Sequence, residues 1–329
     1  MTLLNIVYII IGVALVLWGA DRLTEGASSL ARGMRVPEIV IGLTIVAAGT
    51  SAPELFVSLV SALKGTPDLA VGNVIGSNIF NTTLIVGCSA MVAPMMVQKN
   101  TVRKDIPFAV VASLLLFVLC FDDMDSPHLW GNEITRSDGI ILLLGFIGFM
   151  IYTFHVAKKD GLMPTEEELE DNAELPKDYS QLWRNLFWIA FGLGCLIYGS
   201  SLFVDAATYI AHRFGVRQSI IGLTIVAGGT SLPELATSVV AAYKGRSAIA
   251  IGNVIGSNVF NILLILGTTA VIHPLRIMGI TIVDLMMLLV TIGFLWLFAF
   301  TKYYVSRREG LVLVLGFLIY MCWLLYLIK

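Results

Sequence analysis

Charge is scarce in this sequence. Asp, Glu, Lys and Arg make up 13% of 329 residues, where soluble domains carry about 25%. An ordinary water-soluble domain is thereby excluded. A net charge of -2 without any long basic run leaves nothing to neutralise a phosphate backbone, so no nucleic-acid partner is expected. Only four cysteines occur, Cys88, Cys120, Cys195 and Cys322. They are scattered, with no C-x-x-C pair, so neither a zinc site nor a disulfide framework is indicated. The four histidines, His128, His155, His212 and His273, fall near the ends of apolar runs. The N-terminus lacks a basic start and a cleavage site, so its apolar run is expected to be a retained span and not a signal peptide.

What the sequence has is apolar length. Hydrophobic residues make up 57% and the mean hydropathy is +0.86. Runs long enough to cross a bilayer lie near 4–21, 37–63, 69–93, 106–121, 138–156, 184–207, 217–242, 248–272, 279–300 and 310–328. Spanning segments with continuous apolar runs must be helices, because lipid offers backbone groups no partners. The expectation is an all-α polytopic membrane protein with ten transmembrane helices. Lys and Arg collect in cytoplasmic loops. With the N-terminus outside, the loops split fourteen inside to six outside, leaving Arg22 uncounted, so both termini are expected outside. The segment 157–183, with "TEEELEDNAELPKDY", reads as an acidic solvated linker. It separates a five-helix half, 1–156, from a second, 184–329.

The halves are copies. Between Gly42–Asn81 and Gly222–Asn261, 27 of 40 positions are identical at an offset of 180, and Gly19, Glu25 and Ala31 meet Gly199, Asp205 and Ala211. Five helices per half is odd, so the second copy enters the membrane upside down. Inverted repeats of this kind build secondary transporters with a site at the repeat interface. A duplication kept for packing alone would preserve apolar residues. Here the matched positions include Thr50, Ser51, Glu54, Asn73, Ser77, Asn78 and Asn81.

"GTSAPEL" puts a proline and a glutamate inside an apolar span. Pro53 has no N–H and leaves the Gly49 carbonyl without its helical donor. Glu54 is costly in a membrane and marks function by default. Helical spacing sets Thr50, Ser51 and Ser58 on its face. Pro233 and Glu234 repeat the arrangement after Thr230 and Ser231. One turn thus offers a carboxylate, hydroxyls and freed carbonyls, all oxygen donors. That set suits Ca²⁺, Na⁺ or Mg²⁺ and not zinc or copper. The next helix carries Asn73, Ser77 and Asn81 as a polar stripe, repeated by Asn253, Ser257 and Asn261. Asn73 and Asn253 are expected to join helices, and the other four to face ions. Two facing carboxylates are neutralised by one Ca²⁺ or share several Na⁺, so the ions would exclude each other.

With its two "GTSxPEL" and two "GNVIGSN" segments, the chain resembles the sodium/calcium exchangers of the cation/calcium exchanger superfamily, in their prokaryotic form, over nearly its whole length. The resemblance implies a core of spans 2–5 and 7–10 with spans 1 and 6 as a mobile pair. It implies antiport of Ca²⁺ against Na⁺ with no cofactor beyond the transported ions, no obligate protein partner, and a place in the cell inner membrane. The implied ion ligands are Glu54, Glu234, Thr50, Ser51, Ser77, Asn81, Thr230, Ser231, Ser257 and Asn261, with the backbone oxygens of Ala47 and Ala227. Some relatives, the potassium-dependent ones among them, carry Asp where this chain has Asn81 or Asn261, so K⁺ dependence is not expected. Proton-coupled members share the central glutamates, and a Ca²⁺/H⁺ antiporter is the alternative. A passive channel is separated from both only by counter-transport. An intramembrane hydrolase would need a metal triad, a Ser–His or Ser–Lys pair, or two catalytic aspartates, so no enzyme is expected.

Overall fold

The computed structural model describes residues 2–34, 36–120, 133–159, 179–215, 227–277 and 280–327. Its helices are α1 (Thr2–Gly33), α2 (Glu38–Thr50), α3 (Ala52–Leu63), α4 (Pro67–Val92), α5 (Ile106–Leu119) and α6 (Arg136–Lys159). They continue as α7 (Tyr179–Arg213), α8 (Ala227–Thr230), α9 (Leu232–Tyr243), α10 (Ser247–Ile272), α11 (Ile282–Lys302) and α12 (Arg307–Leu327). Six of these are long and apolar enough to cross a membrane: α1, α4, α6, α7, α10 and α11. A seventh span arises if α2 and α3, bent by 44° at Ser51, count as one.

Three helices outrun the hydropathy pattern, among them α7, which covers Tyr179–Arg213 where the apolar run covers 184–207. The first apolar run stops near residue 21, yet α1 continues to Gly33, because Asp21, Arg22 and Glu25 lower hydropathy without opposing helix. Similarly, a π-helical turn at Thr101–Asp105 leads into α5, where Arg103, Lys104 and Asp105 mask the helix start. Of the expected linker 157–183, residues 160–178 lie outside the described residues. So do residue 121 of the fourth expected span, 217–226 of the seventh, Gly279 at the start of the ninth and residue 328 at the end of the tenth.

The helix starts are written in the sequence. Thr281 caps α11 through a reciprocal box with Asp284. Thr135 with Asp138 and Ser306 with Glu309 form matching contacts at α6 and α12. Each box satisfies backbone N–H groups that a helix start leaves open.

Short strands tie the halves together. Met95–Met96 (β1) pairs antiparallel with Tyr304–Val305 (β4), and Glu133–Ile134 (β2) with Leu275–Arg276 (β3). Each half therefore lends a strand to the other. At the centre stand α10, 94% buried over its apolar window, and α4, 67% buried, against 22% for α1. The outward residues of the other helices are large and apolar, such as Ile10, Val111, Leu144, Ile151 and Ile319.

Outside this centre α1 and α7 run as a closely packed antiparallel pair. A Cβ on Gly12 would sit 2.8 Å from the Gly199 carbonyl oxygen, and one on Gly19 would sit 2.7 Å from that of Gly192. Gly192 and Gly199 are the positions 180 beyond Gly12 and Gly19, so the crossing matches the two copies of one sequence. Only glycine permits backbones this close.

Candidate ion-binding site

The break between α2 and α3 sets the first half of the site. Helical bonding runs to the Ser51 N–H on the Ala47 carbonyl at 3.0 Å, and resumes at Leu55 N–H on Ser51 O at 3.1 Å. Ser51 itself has φ -82 and ψ 5, outside the helix. Pro53 can sit in the first turn of α3, where an N–H is not required, and Glu54 follows it. In the second half Ser231 separates α8 from α9 with φ -90 and ψ 9, and Pro233 and Glu234 follow. The same four-residue grammar thus delivers a carboxylate at the start of each inner helix.

The two copies meet crosswise. Ser51 Oγ donates to Glu234 Oε1 at 3.0 Å, and Ser231 Oγ donates to Glu54 Oε1 at 3.0 Å. Both glutamates are buried, at 0% and 1% exposure, and lie close enough to feel each other's charge. Their remaining oxygens, Glu54 Oε2 and Glu234 Oε2, are buried without any hydrogen-bond partner.

Around them the expected donors assemble. Ser77 Oγ lies 3.3 Å from Ser231 Oγ. Thr50 Oγ1 is 3.0 Å from Asn253 Oδ1 and 3.4 Å from the Ala47 carbonyl. Thr230 ends α8, half-buried, with its hydroxyl beside the Glu54 carboxylate. Asn81 donates through Nδ2 to Asn258 Oδ1 at 3.1 Å and keeps a buried Oδ1 without a partner. Ser257 Oγ and both polar atoms of Asn261 are buried and unpartnered. Asn81 and Asn261 lie in π-helical turns, 81–85 and 260–266. Those turns pack against α9 and α3, the helices that carry the opposite glutamates. Ala47 is buried with its carbonyl already holding the Ser51 bond, and Ala227 opens α8.

Asn73 and Asn253 sit behind this shell. Asn73 Nδ2 donates to Ser58 Oγ at 3.0 Å and to the Glu54 carbonyl at 3.3 Å. Asn253 does the same to Ser238 at 2.9 Å and the Glu234 carbonyl at 3.4 Å. They hold each glutamate helix against the helix that follows. Two residues had no assigned role in the sequence: Asn258, which orients Asn81, and Thr291, 3.0 Å from Thr82 across the halves. The identity of Asn78 with Asn258 in the repeat was the available signal for the first.

Buried polar atoms normally find a partner. Orphaned oxygens of two carboxylates, a serine and two asparagines therefore describe a place for a hard, oxygen-seeking cation. Among the described residues no group of three His, Cys, Asp or Glu side chains converges, so a transition-metal cage is not formed there.

The family model described as "Sodium/calcium exchanger protein" matches residues 4–155 and 184–326. The chain belongs to this family. It is an integral, multi-pass membrane protein and a cation/Ca²⁺ antiporter by family. It is 40% identical over 270 residues to the putative antiporter CaxA of Alkalimonas amylolytica, covering 82% of this chain and 81% of that one. It is 36% identical to the inner membrane protein YrbG of Escherichia coli K12, covering 99% and 98%. A solved structure of the sodium-calcium exchanger NCX_Mj, soaked with Na⁺ and zero Ca²⁺, superposes with a TM-score of 0.83 at 30% identity, covering 98% of this chain and 99% of that one.

Proposed function

We propose that the protein exchanges Ca²⁺ for Na⁺ by alternating access. It does so with ten spans arranged as two inverted five-helix repeats, both termini outside, in a prokaryotic inner membrane. The ions bind at mid-membrane between the repeats, on Glu54, Glu234 and the neighbouring hydroxyl and amide oxygens. The observation that carries this reading is the reciprocal pairing of Ser51 with Glu234 and Ser231 with Glu54, which leaves one free oxygen on each carboxylate. One Ca²⁺ cancels both negative charges. Na⁺ ions divide the same oxygens among themselves, so either cargo displaces the other.

A second reading is Ca²⁺/H⁺ exchange. The site holds two acids, with Asn at 81 and 261, and two protons neutralise two carboxylates as fully as one Ca²⁺. Uptake of ⁴⁵Ca²⁺ into proteoliposomes separates the two. An outward Na⁺ gradient should drive accumulation and a pH gradient alone should not. Uptake driven only by the pH gradient selects the proton reading. Uptake that collapses the Ca²⁺ gradient without any counter-ion would remove antiport itself.

A further inference from the structure

One end of the α1/α7 pair is fastened to α9. Lys244 Nζ lies 2.5 Å from Asp21 Oδ1 and 3.0 Å from Glu25 Oε1. Lys244 is the C-cap of α9, with φ -77 and ψ 3, and Gly245 at φ +72 turns the chain away. The equivalent corner of the first half has the same build. Lys64 caps α3 with φ -83 and ψ 3, and Gly65 turns at φ +78. Yet among the described residues Lys64 has no ion-pair partner. Its expected counterpart, Asp205, stands where Glu25 stands in the other copy, is exposed, and has no ion-pair partner among the described residues.

The packing agrees with the charges. α1 lies along α9, whereas α7 makes no comparable contact with α3. Phe56 on α3 is 69% exposed, while Ala236, its equivalent on α9, is 8% exposed. The glycine crossing makes α1 and α7 one body. Gly12 faces Gly199 and Gly19 faces Gly192, so Asp205 on α7 lies level with residue 6 of α1. Asp21 and Glu25 are thus roughly 22 Å or more from Asp205 along the pair, at 1.5 Å per residue. The two corners lie at opposite ends of the body.

We infer that Lys244 with Asp21 and Glu25, and Lys64 with Asp205, are two alternating latches, the first closed here and the second closed in the opposite-facing state. This rests on the alternating-access reading above. When the α1/α7 body rocks from α9 toward α3, the first latch opens at one end and Asp205 reaches Lys64 at the other. Neither lysine touches the transported ion, so both act as positioning residues. The latches are unequal. Ser201 occupies the position of Asp21, which leaves the second latch with one acid where the first has two. Arg22 also pairs with Asp21 at 3.6 Å and with Glu25 at 3.1 Å, and Leu202 stands in its place in the other copy, so the acids of the first latch are shared between two cations.

Disulfide trapping tests the inference in the full-length protein in liposomes. Cys88, Cys120, Cys195 and Cys322 are first replaced, and the pairs Lys64→Cys/Asp205→Cys and Lys244→Cys/Glu25→Cys are made separately. Each pair should crosslink with a short bis-methanethiosulfonate, whose disulfide links should stop exchange, and reduction should restore it. Conditions that raise crosslinking at one corner should lower it several-fold at the other. In the Lys244→Cys/Glu25→Cys protein, which keeps Lys64 and Asp205, Ser201→Asp should lower crosslinking of the 244/25 pair at least two-fold, a readout that a merely structural role would not move. If the 64/205 pair never crosslinks in liposomes where the reduced protein exchanges ions normally, the second latch does not exist and the antiport reading survives. If the reduced protein crosslinks at both corners reciprocally yet carries no counter-transport, the latches stand and the antiport reading fails.

Discussion

Ser51 and Glu234 are 183 positions apart in sequence and 3.0 Å apart in space, and Ser231 and Glu54 repeat the contact in reverse. Each carboxylate is therefore oriented by the other half of the chain. A movement that separates the halves would disturb both at once.

Replacing either glutamate should end transport without unfolding the protein. In Glu54→Gln the amide keeps an oxygen for Ser231, but one of two negative charges is lost. Ca²⁺ then faces a site with half its countercharge in a low-dielectric surrounding. Exchange should fall to background in Glu54→Gln and in Glu234→Gln, with size-exclusion profiles unchanged. Calcium flux close to wild type in either would remove the carboxylates from the site.

The serines should matter by degree. A hydrogen bond to a charged acceptor contributes about 1.5–3 kcal/mol, or about 10- to 100-fold in affinity. Ser51→Ala and Ser231→Ala should weaken apparent Ca²⁺ affinity within that range and to similar extents, because the contacts are reciprocal. A loss in one and no change in the other would show that the two halves of the site are not equivalent. Calcium titration of the purified variants measures this.

Protons and cations compete for the same oxygens. A protonated carboxyl has lost its charge and most of its attraction for Ca²⁺. Apparent Ca²⁺ affinity should therefore fall as pH falls, and raising Ca²⁺ should overcome the effect. Titration between pH 8 and 5.5 gives the answer, and a flat affinity over that range would mean that neither glutamate exchanges a proton for the ion.

Much of the candidate site was legible in sequence because the signals were local. A carboxylate after a proline in an apolar span, written twice, identifies Glu54 and Glu234 without any knowledge of packing. The crosswise partnership was not legible. Nothing within one copy says whether Ser51 meets its own glutamate or that of the other copy, since helical spacing puts Ser51 and Glu54 on one face. Asn258 was missed for the same reason, because its partner Asn81 comes from the other half. The reach of α1 to Gly33 was hidden because hydropathy registers charge, while the helix continues through Asp21 and Glu25 to the latch they form with Lys244.

Asn81 and Asn261, equivalent positions of the repeat, should respond differently to substitution. Asn261 is fully buried, and neither its Oδ1 nor its Nδ2 has a partner. Its π-helical turn packs on α3, the helix of Glu54. Asn261→Asp would therefore add a third negative charge at the site without breaking any hydrogen bond. Asn81 holds Asn258 at 3.1 Å through its Nδ2, which a carboxylate cannot replace, because it would present an acceptor to an acceptor. A third charge lets the site neutralise an additional monovalent cation. The expected outcome is a steeper Na⁺ dependence of Ca²⁺ uptake and a lower half-saturating Na⁺ concentration in Asn261→Asp. Asn81→Asp should instead lose thermal stability in detergent, by about 1–3 kcal/mol for a buried acceptor left unpaired. If Asn261→Asp had the Na⁺ dependence of the wild type while folding normally, Asn261 would lie outside the reach of the transported ions.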